Sequence, residues 1–137
     1  MKRLAIVNTE NLLEVKESVI NDSIFLRACI ERLSFEDVNL SGTKITNANM
    51  SDIEIEGAQL GGAYIHNIGM PPKDHPAYDP AARQRPLIFE DCFLAGSRIS
   101  NCNLTDVELT DCNTSGMKIN GVRIDDMIDA YKKSKGS

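Results

Sequence analysis

Tryptophan is absent from the 137-residue chain, and Phe and Tyr bring the aromatic share to only 5%. Basic residues are in deficit too: 15 Lys and Arg against 20 Asp and Glu leave a formal charge of -5. A nucleic-acid surface needs a basic stripe and stacking aromatics, so the composition argues against direct nucleic-acid binding. Long apolar runs are also missing. The longest, Leu4-Ala5-Ile6-Val7 and Phe93-Leu94-Ala95, fall far short of the roughly 20 residues of a membrane span. Nor does Met1-Lys2-Arg3, followed by that short run and then Asn8, read as a secretory signal. The expectation is a soluble cytoplasmic domain with no membrane partner. What is present is ordinary for a globular chain: 42% apolar and 26% charged residues, in a mass of 15.1 kDa that fits one domain.

A period of five runs through most of the sequence. From Phe25 it reads Ile30, Phe35, Leu40, Ile45, Met50, Ile55, Leu60 and Ile65, all large and apolar. It resumes in a shifted phase at Phe89, through Leu94, Ile99, Leu104, Leu109, Thr114, Ile119 and Ile124, and only Thr114 breaks it. Against the apolar background this has a chance probability on the order of one in several thousand, even with both phases left free. Two residues before each large position stands a small or apolar one, such as Ala28, Ala48, Ala58, Cys92, Cys102 or Cys112. Two residues after it stands mostly Asp, Asn or Gly: Asp37, Gly42, Asn47, Asp52, Gly57, Gly62 and Asn67, then Asp91 through Asp126. Those residues tolerate turn conformations.

Neither regular element can bury such a period. Five residues advance a helix by about 500°, which forms no face. On a straight strand an odd step alternates between the two faces. A short extended segment that turns a corner every five residues solves the problem. The small and large positions, two apart, then both point inward. The chain must coil.

Ala48-Asn49-Met50-Ser51-Asp52, Ala58-Gln59-Leu60-Gly61-Gly62 and Cys102-Asn103-Leu104-Thr105-Asp106 resemble the signature of the pentapeptide-repeat family, including its bacterial members. The resemblance spans roughly residues 13 to 126, apart from one insertion. It implies an all-β fold: a right-handed, quadrilateral, parallel β-helix with four pentapeptides per coil. Residues twenty apart would then stack, Phe25 beneath Ile45 and Ile65, Phe35 beneath Ile55, Leu40 beneath Leu60, and Cys92 beneath Cys112.

The expected division is an N-terminal cap at 1–22, a first repeat tract at 23–66, a loop insertion at 67–86, a second tract at 87–126 and a C-terminal helix and tail at 127–137. Within the first of these, residues 1 to 12, with Leu4 and Ile6 alternating, are expected to add a short strand or a cap. The insertion holds all five prolines, which cannot donate to a ladder, so it leaves the stack as a loop. A loop of that length in a compact domain suggests function. Tyr64, Ile88 and Phe93 beside it are unusually apolar for outward positions, and the loop is expected to fold back onto them. At the far end Met127, Ile128 and Tyr131 fall at helical spacing, with Lys132, Lys133 and Lys135 suited to a helix C-terminus. An Asp-capped helix at Asp125-Asp126, lying over the last coil, is the simple reading. It also offers a route to a dimer; otherwise the chain is a monomer.

Chemistry-bearing side chains are sparse. Cys92, Cys102 and Cys112 are spaced ten apart in the small register, whereas zinc sites use close pairs. They read as buried structural thiols, with Cys92 and Cys112 near enough to raise the question of a cross-link. Cys29 points outward with no base beside it. His75 lies in Asp74-His75-Pro76-Ala77-Tyr78-Asp79, a run with donor atoms but no closed constellation. No metal, no cofactor and no catalytic residues are therefore expected. The leading expectation is a non-catalytic module binding an unidentified protein through Tyr64, His66, His75, Tyr78, Arg83, Arg85, Ile88 and Phe93. The alternative rests on Glu36, Asp37, Glu54 and Glu56, which would share one acidic face. That face resembles the gyrase-protecting members of the family, which mimic DNA.

Overall fold

The computed structural model describes residues 2–136, and in it the period of five is a property of the backbone. The corner residue after each large apolar position has positive φ at every step from Glu17 to Asn67, and again from Asp91 to Gly121. Asp, Asn and Gly supply most of these corners. Glu17, Arg27 and Arg32 do not suit the left-handed region, yet they adopt it at φ 47°, 49° and 58°. The repeat imposes the conformation there, against a cost of roughly 1–2 kcal/mol per residue.

Corners alternate between two kinds. At every second one from Gly42 to Gly62 and from Gly96 to Gly116 a backbone hydrogen bond closes the turn: Thr43 N–H to Leu40 C=O (3.1 Å), Ile53 to Met50 (3.3 Å), Ala63 to Leu60 (2.8 Å), Ser97 to Leu94 (3.0 Å), Val107 to Leu104 (3.1 Å) and Met117 to Thr114 (3.0 Å). Positive φ at the third residue of each gives the type II signature. Asn39, Asn49, Asn103 and Asn113 brace four of these turns. Each carboxamide oxygen accepts the backbone N–H two residues on, at 3.0–3.1 Å. The hydroxyls of Ser41, Ser51 and Thr105 donate to the same oxygens. The corners between lack that turn bond among the described residues. Several are braced from the following small position instead. Ser18 donates to the Lys16 carbonyl, and the thiols of Cys92, Cys102 and Cys112 donate to Glu90, Ser100 and Thr110 at 3.2–3.3 Å.

The chain divides into two compact units, Met1–Ala63 and Tyr64–Ser137. In both, the described repeats up to Met117 contain corners but no β-strands, and no described residue is buried. The accessible surface is 15026 Å², about twice the roughly 7,100 Å² of a close-packed monomer of this mass. The inward row from Phe25 to Ile65 retains 40–65% exposure, while outward Phe93 retains 92%. Facing is thus set by the local corners, but closure of one coil on the next is not reached. The expected burial of the apolar row and of the cysteines is corrected accordingly: all four thiols are free and exposed. Corners need hydrogen bonds spanning two or three residues. Burial needs ladders spanning twenty.

Three expectations about the ends and the loop are also corrected. Of the two alternatives for residues 2–12, the strand is not formed. The repeat after Met117 gives way to a hairpin, β1 (Lys118–Ile119) and β2 (Val122–Arg123), whose register pairs Lys118 with Arg123 and Ile119 with Val122. Asn120 and Gly121 both have positive φ, the type I′ turn that Asn-Gly favours. Ile124 N–H extends the pairing to the Met117 carbonyl at 2.9 Å. Helix α1 (Ile124–Gly136) then starts earlier than expected, with Asp125 and Asp126 in its first turn instead of at its cap. These charges suit the helix N-terminus, as Lys133 and Lys135 suit its end.

The proline-rich loop closes on itself instead of folding back. Its turns run Pro72 to His75, His75 to Tyr78 and Asp79 to Ala82, each with a backbone hydrogen bond of 2.9–3.1 Å. Its two ends meet, with the Gln84 side-chain oxygen 4.0 Å from where a β-carbon on Gly69 would stand. Pro71 and Ala82 are half-buried within it. Tyr64, Ile88 and Phe93 stay uncovered, at 81%, 85% and 92% exposure. Those three turn bonds hold the loop to itself and not to these side chains.

Candidate functional site

Within the second unit, Tyr64 and His66 flank inward Ile65, and both therefore point outward. Their rings stack with centroids 4.0 Å apart and planes 13° from parallel. The Asn67 amide nitrogen lies 3.2 Å from His66 Nδ1 and fixes the ring from its other side. Ile88 and Phe93 occupy outward positions at the start of the second tract. On the loop, His75 Nδ1 accepts the Ala77 N–H at 3.0 Å, so that nitrogen is an acceptor with a local task. Tyr78 follows one turn later. Arg83 Nη1 donates to the Pro80 and Ala82 carbonyls, both at 2.9 Å, which spends the guanidinium on holding the loop. Arg85 is engaged as well. The structure thus brings Tyr64 and His66 together and places His75, Tyr78 and Arg83 on one self-braced loop.

Within the first unit, Glu36, Asp37, Glu54 and Glu56 line one groove, together with Ser34, Phe35 and Gly57. Its volume is about 650 Å³. The two lining segments, 34–37 and 54–57, are twenty residues apart in sequence. Four carboxylates here face one space with no basic residue in the lining.

Among the described residues no three His, Cys, Asp or Glu side chains group closely enough to hold a metal ion. Cys29 contacts the Glu31 carboxylate at 3.7 Å, a weak S–H interaction. No described helix is long and apolar enough to cross a membrane. Sequence reasoning missed the turn-bracing asparagines. Their signal was the recurring Asn-x-(Ser/Thr) at Asn39, Asn49, Asn103 and Asn113.

A backbone that turns every five residues, with a left-handed corner at each step, defines a repeat protein whose functional surface is its outward registers. A family model described as pentapeptide repeats matches residues 34–68, in 8 copies, so that stretch of the chain carries pentapeptide repeats. No curated protein and no solved structure matches it.

Proposed function

We propose that the protein is a non-catalytic, cytoplasmic interaction module. Its repeats close into a right-handed quadrilateral β-helix that presents the proline-rich loop and the neighbouring outward residues to a protein partner. The carrying observation is the uncovered outward set: Tyr64, Ile88 and Phe93 exceed 80% exposure although the loop is long enough to shelter them. Large exposed apolar and aromatic side chains rimmed by polar ones are characteristic of protein-binding surfaces. The loop supplies the rim, held in shape by its own turns and by Arg83. Phe93→Glu is expected to abolish capture of the partner from cytosol while leaving the melting transition in place, since exposed substitutions usually change stability by less than about 0.5 kcal/mol. Capture unaffected by Phe93→Glu would remove this surface from the function.

The acidic groove supports a second reading, a DNA-mimicking regulator of a type II topoisomerase. Four carboxylates on one face offer a field like that of a phosphate backbone. Inhibition or protection in a supercoiling assay, lost in Glu54→Lys/Glu56→Lys, is the outcome this reading requires.

A further inference from the structure

Charge is unevenly divided along the chain. Residues 1–32 carry five basic and five acidic side chains, so the remainder holds the whole net charge of -5. The same stretch departs from the repeat in its outward positions. Later in the first unit these are Asn39, Lys44, Asn49, Glu54 and Gln59. Around the corner at Asp22 they are Val19 and Ile24, each 84% exposed, with Leu26 exposed beside them. Two charges bracket this patch in sequence: Asp22-Ser23-Ile24-Phe25-Leu26-Arg27. Both stand at left-handed corners, with φ 60° and 49°. The Ser23 hydroxyl pins the first to the Ile20 carbonyl at 2.6 Å. Neighbouring charges pair locally, Lys16 with Glu14 and Arg32 with Glu31. The side chains of Asp22 and Arg27 have no such partner among the described residues.

We propose that this face is a self-association surface, and that its occupant is a second copy of the chain. A two-fold axis brings the same patch to itself, so an isologous interface must be self-complementary. The segment from Asp22 to Arg27 has that property. Run antiparallel against its copy, each Asp22 meets the partner's Arg27, and Ile24 and Leu26 of both copies form the apolar centre. Electrostatics permits the contact here, because residues 1–32 are charge-balanced and add no net repulsion of their own between two copies. A strongly acidic or basic partner would find no field here to recognise.

The test is sedimentation equilibrium of the full chain over a wide concentration range, with a charge-swap set. The native chain is expected to reach twice its 15.1 kDa mass. Asp22→Arg and Arg27→Asp, taken singly, should each weaken association at least about tenfold, because each places like charges opposite one another. Asp22→Arg/Arg27→Asp restores the pairing and should recover the dimer. Both charge types already occupy left-handed corners in this chain, so folding tolerates the swap, and circular dichroism checks it. Ile128→Glu on α1 should leave the dimer intact. A native chain that stays monomeric, single variants that associate like the native chain, or a dimer lost only in Ile128→Glu would each overturn the proposal.

Discussion

Gly61 and Gly62 occupy one turn yet do different things. Gly62 has φ 78°, whereas Gly61 is not in the left-handed region, and a β-carbon on either would meet nothing within 4 Å. Sterics with neighbours therefore cancel out, and only backbone conformation separates them. Gly61→Ala is expected to raise stability by about 0.4–1 kcal/mol, by restricting the unfolded chain. Gly62→Ala should lower it by about 1 kcal/mol, the left-handed penalty less that same gain. Urea unfolding midpoints moving in opposite directions check the pair; two shifts of the same sign contradict the corner assignment. The corner residues were legible in the sequence because Asp, Asn and Gly advertise the left-handed region. Glu17, Arg27 and Arg32 were not, since their own preferences oppose what the repeat demands. The thiols were half legible. Their register was plain, but donation to a carbonyl two residues back depends on the corner shape, which residue type alone does not reveal.

Among the elements, the hairpin and helix show how one pattern can hide another. Ile119 and Ile124 continue the period of five, so Gly121 read as one more corner. Asn120-Gly121 is also the strongest short hairpin signal, and the antiparallel bond from Ile124 to Met117 wins because it satisfies backbone groups locally. Asn120→Val should cost about 1–2 kcal/mol, since a β-branched residue must enter positive φ. Loss of the helical circular-dichroism signal at lower temperature would register it, as β2 runs directly into α1. An unchanged transition would mean that the turn does not hold the helix start. The loop is the opposite case. Five prolines marked its extent, but whether it docked or closed on itself depended on turns at His75, Tyr78 and Ala82 that no composition rule ranks.

For the molecule as a whole, local and long-range order are separable. Corners from Glu17 onward are complete while the apolar row remains half-exposed. The period could therefore announce the coil but not the state of its closure, which depends on backbone pairing between residues far apart in sequence. In the acidic groove, segments twenty residues apart, 34–37 and 54–57, line a common space, so four carboxylates share it. The most direct test of the coil is the nuclear Overhauser contact map of the side chains within the first unit. The account predicts contacts between Phe25 and Ile45, Phe35 and Ile55, and Leu40 and Leu60, each twenty residues apart. Contacts at another fixed separation, or none beyond adjacent corners, would contradict a coil of four pentapeptides.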